Sequence, residues 1–249
     1  MKGVILAGGT GSRLSPLTDV TNKHLLPVYD EPMLYKVLHT LVNAGIEEIQ
    51  IVLGGNSVGD IVRLIGSGKD FGEEVKISYV FQDRAGGIAE ALSLTEHFVD
   101  GDRVAVILGD NIFEDNFKEY VEKFKNDYTN ECYLFLKEVP DPNRFGVAQL
   151  DGDKILSIQE KPEEPESNWA VTGMYFYNGN VYDIIRQVID KIGYSKRGEL
   201  EISDVNQMYI NRGTVKGIKL QGFWSDAGKF ETLIKSANFI ASKKSGKDE

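Results

Sequence analysis

A glycine-rich turn followed by a cation opens this sequence, and that combination is suited to binding phosphate. Residues 4–6 are β-branched or apolar, which predicts a buried strand. The strand leads into Gly8, Gly9 and Gly11, where no Cβ hinders positive φ or the approach of a ligand to the backbone. Arg13 then supplies a planar, permanently charged guanidinium that matches phosphate oxygens. Strand, turn and cation together predict a phosphate-binding loop.

Two common phosphate-binding motifs do not fit this loop. A Walker loop requires a glycine, four residues, then Gly-Lys and a hydroxyl residue. Here Gly11 is followed by Ser12 and Arg13, and no glycine lies at the required upstream spacing. A dinucleotide fingerprint with glycines at 9 and 11 requires a small residue where this chain has Leu14. On this segment alone, a tight turn that binds no ligand is the alternative.

Two carboxylates and a lysine lie in segments that could hold them in fixed positions. Asp110 follows the apolar run 104–108, and Asp226 lies in a second short acidic turn, 224–228. Mg²⁺ prefers a few carboxylates together with water and substrate phosphates, so two aspartates from distant turns are a suitable pair. Lys23 is followed closely by apolar residues, which would restrain its ammonium. Taken singly, each aspartate could be a turn or helix cap, and the lysine a solvated surface charge.

Motifs along nearly the whole chain resemble, in order, those of the sugar-1-phosphate nucleotidylyltransferases. They are residues 6–18, 22–28, 108–111, 145–147, 160–162, 171–175, 197–204 and 224–228, together with Gln82. Within that family, the glucose-1-phosphate thymidylyltransferases are the most similar. The resemblance implies transfer of a thymidylyl group from dTTP to glucose 1-phosphate, with Mg²⁺ as cofactor, in carbohydrate biosynthesis such as that of dTDP-rhamnose.

The resemblance also implies which residues bind each substrate. The nucleotide-binding set is Leu6, Ala7, Gly8, Gly9, Thr10, Gly11, Ser12, Arg13, Lys23, Gln82, Gly87 and Asp110. The sugar-phosphate set is Asn111, Gly146, Glu160, Lys161, Val171, Thr172 and Arg197. By the same resemblance the catalytic residues are Arg13, Lys23, Asp110 and Lys161, and the metal ligands are Asp110 and Asp226. Tyr175 and Trp224 could line the pocket, although burial in the core is an equally good interpretation for aromatic residues.

Strand and helix patterns predict an α/β fold that would place these motifs at one edge of a sheet. Strand-like runs at 3–7, 48–53, 76–80 and 103–108 alternate with helical patterns at 32–45, 58–65 and 88–98. This rhythm predicts a Rossmann-like, three-layer α/β/α arrangement around a mixed, mostly parallel sheet, with ligands at the carboxyl ends of its strands.

The second half of the chain changes character. Its strand-like runs are 133–139, 147–150, 154–159 and 170–177, with a hairpin turn at Asp151-Gly152, and its helical patterns are 181–192, 200–212 and 230–242. We predict one domain over residues 1–249, with a nucleotide-binding half at about 1–130 and a sugar-binding half at about 131–240.

Composition excludes several classes of partner. The net charge of −10 leaves no basic face for nucleic acid, and the longest apolar runs are too short to span a membrane. With no signal-like start, a cytoplasmic location is the default expectation. The single cysteine, Cys132, lies in an apolar run and predicts a buried thiol. A homo-oligomer is expected by analogy with the family.

Two alternative functions differ from the favoured interpretation. The enzyme could use UTP or another hexose phosphate, because Gln82 has no contact that senses a 5-methyl group. The chain could also be a nucleotide-sugar-binding regulatory subunit, although Arg13, Lys23, Asp110, Lys161 and Asp226 are all present. Many bacterial relatives extend some tens of residues further and form an allosteric site there. Because this chain stops at Glu249, we interpret it as a short form and do not extend the allosteric site or a tetramer to it.

Overall fold

A computed structural model describes residues 1–246 and contains a nine-stranded mixed sheet covered by helices on both faces. The strands are β1 (Lys2–Ala7), β2 (Pro27–Val28), β3 (Glu31–Pro32), β4 (Glu48–Leu53), β5 (Lys76–Phe81), β6 (Val104–Leu108), β7 (Asn111–Phe113), β8 (Cys132–Glu138), β9 (Gly146–Asp151), β10 (Lys154–Glu160), β11 (Trp169–Tyr177), β12 (Val215–Lys219) and β13 (Trp224–Asp226). The helices are α1 (Met33–Asn43), α2 (Val58–Ile65), α3 (Ile88–Ser93), α4 (Glu96–Val99), α5 (Lys118–Lys125), α6 (Val181–Lys191), α7 (Ile202–Arg212) and α8 (Phe230–Ser245).

The sheet is mostly parallel, as the sequence predicts. Strands β6, β1, β4 and β5 pair in that order and run parallel, which brings their carboxyl ends to one edge. Strand β11 runs antiparallel between β6 and β8, and β12 lies parallel to β8. The β9–β10 hairpin joins the sheet beside the first part of β11, where Ala170 pairs with Val147. The predicted three-layer α/β fold is confirmed.

Alternation along the central strands divides the core between the two faces. In β1, Val4 and Leu6 pack on the face covered by α3, α6 and α7, and Ile5 and Ala7 pack on the face covered by α1, α2 and α5. A parallel strand buried on both sides has this uninterrupted apolar sequence. Both clusters contain residues from before and after position 131, and the division into two functional halves stays a prediction.

Two local predictions were wrong. The helix expected over 88–98 is divided into α3 and α4. There the buried Thr95 directs its Oγ1 to Leu92 O at 2.7 Å and to Tyr182 Oη at 2.9 Å, and such a side-chain bond competes with the helical ladder. The acidic segment expected as a turn over 224–228 begins with strand β13, which pairs with β7. Within residues 1–246, no helix is long and apolar enough to cross a membrane.

Candidate active site

Two adjoining cavities open at the carboxyl edge of the parallel strands. The first, which we name the loop cavity, has a volume of about 300 Å³, and its lining includes Leu6, Gly8, Gly9, Arg13, Lys23, Gln82, Gly87, Ile88, Leu108, Asp110 and Glu199. The second, the strand cavity, has a volume of about 420 Å³, and its lining includes Arg13, Ile88, Leu108, Asp110, Asn111, Arg144, Gly146, Glu160, Lys161, Val171, Tyr175, Arg197, Ser203, Trp224 and Asp226. Arg13 and Asp110 lie at the boundary, because both line both cavities.

A short ion pair joins the glycine-rich loop to the end of β6. Lys23 Nζ lies 2.6 Å from Asp110 Oδ2, and these side chains are only 13% and 12% exposed. Burial by itself raises the pKa of the Asp110 carboxyl, but Lys23, His24 and the Asn111 amide more than offset this and hold that pKa well below its usual range. Asp110 is therefore a fixed negative charge between the two cavities.

Lys23 is held in place by a polar residue that the sequence did not single out. Asn22 is buried, and its side-chain oxygen accepts from His24 N at 3.0 Å. Its amide nitrogen donates to Gly54 O at 3.2 Å and Asn56 O at 3.0 Å, in the turn after β4. On the other side, a Cβ at Gly11, where φ is +70°, would lie 2.9 Å from Lys23 Cβ. The loop therefore needs glycine there to make room for the lysine.

Strand pairing brings the second aspartate to the first. Asp226 pairs with Asn111 across β13 and β7, and Ala227 N donates to Asp110 O at 2.7 Å. The position that a Cβ on Gly228 would take lies 3.4 Å from Asp110 Oδ2 and 3.7 Å from Asp226 Oδ2. The two carboxylates therefore face a common space, and their pairing by register explains how residues 116 positions apart meet.

Asp226 is also paired with an arginine that the sequence reasoning missed. Arg144 Nη2 lies 2.8 Å from Asp226 Oδ2 and 3.0 Å from its Oδ1. Burial raises the pKa of Asp226, and Asp110 adds to that effect, whereas Arg144 and Arg13 oppose it. The available signal was weak: Arg144 immediately precedes the FGV motif at 145–147.

The donor set suits Mg²⁺ completed by phosphate oxygens. In the part of the chain that the structure describes, no cluster of three or more His, Cys, Asp or Glu side chains could hold an ion by itself. Two carboxylates facing one space are what Mg²⁺ commonly takes from a protein when substrate phosphates and water supply its other oxygens. Arg144 and Lys23 balance the two carboxylates in this structure, so an incoming ion would compete with both cations.

Asn111 connects the aspartates to β11. Its Nδ2 donates to Asp110 Oδ1 at 2.9 Å, and its Oδ1 accepts from Trp224 Nε1 at 2.7 Å and from Gly173 N at 2.9 Å. A Cβ on Gly173 would lie 2.5 Å from the Asn111 Oδ1, so this close approach requires glycine. Asn111 thus fixes the Asp110 carboxylate relative to β11 and β13.

Gln82 and Gly87, which the resemblance assigns to the nucleotide, both line the loop cavity. Gln82 is buried, and its backbone N–H donates to Leu53 O at 2.8 Å. Gly87 has φ +100°, and a Cβ there would lie 2.5 Å from Leu200 O. Leu200 N in turn donates to Gly86 O at 2.7 Å. The loop after β5 is therefore held by the segment that precedes α7.

The predicted sugar-phosphate residues lie mostly around the strand cavity. Lys161 Nζ lies 3.2 Å from Glu160 Oε1, and Arg197 Nη2 lies 3.5 Å from the same oxygen. Glu160 Oε2 accepts from the Ser203 hydroxyl, a partner that sequence reasoning missed. Lys161 has φ +44°, a backbone conformation that is costly for a non-glycine residue and that is concentrated at functional sites. Gly146 leaves space beside Glu160, since a Cβ there would lie 3.4 Å from Glu160 Oε2.

Some predicted residues do not line either cavity. Ala7 and Thr172 are fully buried, and the Thr172 hydroxyl has no hydrogen-bond partner among the described residues. Thr10, Gly11 and Ser12 lie in the loop after β1 but are outside the lining of both cavities. Tyr175 and Trp224 line the strand cavity with only 4% and 6% of their surface exposed, so the pocket and core interpretations both hold for them.

Comparisons with known proteins agree with this geometry. A family model described as nucleotidyl transferase matches residues 2–243. A glucose-1-phosphate thymidylyltransferase of Neisseria meningitidis serogroup A is 42% identical over 243 residues, which are 96% of this chain and 82% of the relative. One from Mycolicibacterium smegmatis is 40% identical over 244 residues, with the same coverage of 96% and 82%.

Solved structures extend the likeness to three dimensions. A Bacillus anthracis protein, provisionally named a glucose-1-phosphate thymidylyltransferase and crystallised with sucrose, superposes with a TM-score of 0.89 at 48% identity, covering 96% of this chain and 94% of that one. A UDP-glucose pyrophosphorylase with bound UDP-glucose gives a TM-score of 0.82 at 24% identity over 97% of this chain, which supports the fold alone. From the family match and the relatives at 40% identity or more, the chain belongs to the nucleotidyl transferase family.

Proposed function

We propose that this protein transfers a thymidylyl group from dTTP to glucose 1-phosphate, forming dTDP-glucose and pyrophosphate. The observation that carries the proposal is that Arg13 and Asp110 lie at the boundary of two cavities. One cavity contains the base-reading Gln82, and the other contains Glu160 and Lys161. A reaction that joins two bound substrates needs this arrangement, because the reacting phosphates must meet where the cavities adjoin.

The chemistry is an in-line displacement at the α-phosphorus of dTTP. An oxygen of the sugar phosphate attacks, a new P–O bond forms, and the bond to the pyrophosphate leaving group breaks. The attacking phosphate is already anionic at neutral pH, so it needs no general base. The protein must position two polyanions that repel each other and neutralise the charge that is redistributed as the bonds change.

Cations at the boundary and on the sugar side supply that neutralisation. Arg13 Nη2 lies 3.0 Å from the position that a Cβ on Gly228 would take, beside both aspartates, and Arg13 forms no ion pair with any side chain in residues 1–246. Its guanidinium is therefore available for the triphosphate. We assign Lys23 to the triphosphate as well and Lys161 to the sugar phosphate, with Arg197 beside it. Lys161 and Arg197 are at present paired with acids, which phosphate would displace.

We assign Asp110 and Asp226 to a Mg²⁺ ion. When bound there, Mg²⁺ would neutralise phosphate charge and orient the triphosphate. Asn111 would hold the Asp110 carboxylate in the orientation it now has. Arg144 would give up part of its contact with Asp226, because the ion would bind the same carboxylate.

Glu160 and the backbone of Gly146 and Val171 are assigned to the glucose hydroxyls, because a carboxylate accepts from two hydroxyls at once. Gln82 and the backbone of Gly87 are assigned to the base. A purine would not fit while it kept the Gln82 contact, so we expect dTTP to be preferred, UTP to be used more weakly, and ATP and GTP to be rejected.

A pyrophosphate-release assay tests the proposal. Purified protein would be given dTTP, UTP, ATP and GTP in turn with glucose 1-phosphate, and then dTTP with other hexose 1-phosphates. The expected result is the highest kcat/KM for dTTP with glucose 1-phosphate. Equal kcat/KM for ATP or GTP would refute the thymidylyl assignment, and no release with any pair would favour a regulatory subunit. Homo-oligomerisation and a cytoplasmic location stay predictions, which gel filtration and cell fractionation would test.

A further inference from the structure

An acidic residue outside the predicted site contacts the base-reading amide. Gln82 Nε2 donates to Glu90 Oε1, an acceptor 3.4 Å away on α3. The other oxygen of this carboxylate, Oε2, accepts from Tyr194 Oη at 3.1 Å and from Arg84. The Arg84 guanidinium also lies over the Tyr194 ring, 4.9 Å from its centre. Arg84 and Tyr194 thus occupy Glu90 Oε2. Oε1 is left to accept from Gln82.

The loop after β5 is shaped to admit this carboxylate. A Cβ on Gly86 would overlap the Glu90 carboxylate, so only glycine allows Glu90 to lie across the loop. The Glu90 side chain is 15% exposed, although Arg84 is 61% exposed. The carboxylate is therefore mostly buried beside Gln82, which itself lines the loop cavity.

We propose that Glu90 is a positioning residue that fixes the orientation of the Gln82 amide and thereby selects thymine or uracil against cytosine. An ionised carboxylate accepts hydrogen bonds and cannot donate them. It therefore requires Nε2 of Gln82 to face it and leaves Oε1 on the opposite side, beside Gly8, whose Cβ would lie 2.5 Å from that oxygen. This proposal rests on the proposed function, since it concerns the nucleotide that occupies the loop cavity.

The fixed amide matches one class of pyrimidine. Thymine and uracil carry a hydrogen on N3, which Gln82 Oε1 can accept, and a carbonyl on C4, to which the second hydrogen of Nε2 can donate. In cytosine N3 is an acceptor and C4 carries an amine, so both contacts at this edge of the base become repulsive. A freely turning glutamine could rotate its amide by half a turn and satisfy cytosine equally well. Glu90 opposes that rotation, because the flipped amide would direct Oε1 at the carboxylate.

The test is Glu90→Gln, which keeps the shape but can donate as well as accept. We expect the ratio of kcat/KM for dTTP to that for dCTP, both with glucose 1-phosphate, to fall at least about tenfold, the loss typical of one hydrogen bond to a charged group. Equilibrium binding of dTTP and dCTP by calorimetry should show the same change in ratio. Glu90→Asp keeps the charge but is too short to reach Gln82, so it should lose selectivity as well and serves if the first variant does not fold.

Glu96→Gln is the matched control, because Glu96 pairs with Arg186 on the exposed surface, away from both cavities. In this variant the ratio of kcat/KM for dTTP to that for dCTP should equal the wild-type ratio. An unchanged ratio in both Glu90 variants, or equal losses with dTTP and dCTP, would overturn the proposal and leave Glu90 a structural role alone. If the wild type released no pyrophosphate from dTTP, the proposed function would fail, and the binding ratios would still decide the role of Glu90.

Discussion

Replacing Lys23 by methionine should destabilise this protein as well as slow it. The change keeps the aliphatic stem that packs against Gly11 and removes only the ammonium. Asp110 would then keep the amide of Asn111, at 2.9 Å, as its side-chain partner. Breaking one side of a buried ion pair costs about 3–5 kcal/mol, because a charge is left without compensation. Both side chains retain a little exposure, 13% and 12%, so the lower end applies.

We therefore expect Lys23→Met to reduce the free energy of unfolding by about 3 kcal/mol. For a chain of this size, that corresponds to a fall in melting temperature of roughly 6–12 °C. The double variant Lys23→Met/Asp110→Asn should recover most of the loss, because the carboxylate charge is removed as well. Asp110→Asn alone should cost less than Lys23→Met, since the long lysine side chain can extend its ammonium towards solvent.

Urea denaturation of the wild type, the two single variants and the double variant gives the coupling energy directly. Lys123→Met is the control, because its pair with Glu119 lies on the exposed surface of α5 and should contribute nothing measurable. Two results would refute the reasoning that Lys23 compensates the buried charge of Asp110. One is a fall in the free energy of unfolding of less than about 1 kcal/mol in Lys23→Met, and the other is a double variant as unstable as Lys23→Met.

Three further changes separate function from stability. Asp226→Asn should cut turnover severely while the melting temperature stays nearly unchanged, because the cost of burying the Asp226 charge, which raises its pKa, offsets the loss of its ion pair with Arg144. Arg13→Ala should lower kcat and kcat/KM together, by about 2–4 kcal/mol of barrier, as expected for a preorganised charge contact. Burial lowers the pKa of His24 from 6.5 to about 3, so between these values the unfolded chain binds a proton that the folded chain does not, and stability falls as the pH falls. His24→Gln should flatten the pH dependence of the unfolding free energy in that window.

Each of these has a contrary outcome. Near-normal turnover of Asp226→Asn at saturating Mg²⁺ would remove that residue from the metal site. A change confined to the KM for dTTP in Arg13→Ala would show that Arg13 binds the ground state alone. Parallel stability curves for the wild type and His24→Gln between pH 3 and 6.5 would show that His24 is protonated in the folded protein.

Local chain chemistry determined the central elements and the glycine-rich loop after β1. The apolar runs of β1, β4, β5 and β6 had to be buried on both faces, and short runs of this kind joined by helices form a parallel sheet. Their carboxyl ends then share an edge, so the placement of Arg13, Gln82 and Asp110 around one site followed from the order of motifs. The glycines of the loop were also informative in the sequence, because a glycine is needed where the backbone takes a positive φ or lies close to another group.

The tertiary structure alone decided which charges meet. Neither Arg144 nor Glu90 lies in a motif. The packing of the elements brings Arg144 to Asp226 and Glu90 to Gln82. Strand β13 was expected as a turn because three residues carry too little pattern, and its pairing with β7 sets the position of Asp226. A side-chain contact depends on distances of a few ångströms between segments far apart in the chain. Such distances are set by strand register and core packing, which residue type and spacing along the sequence do not encode locally.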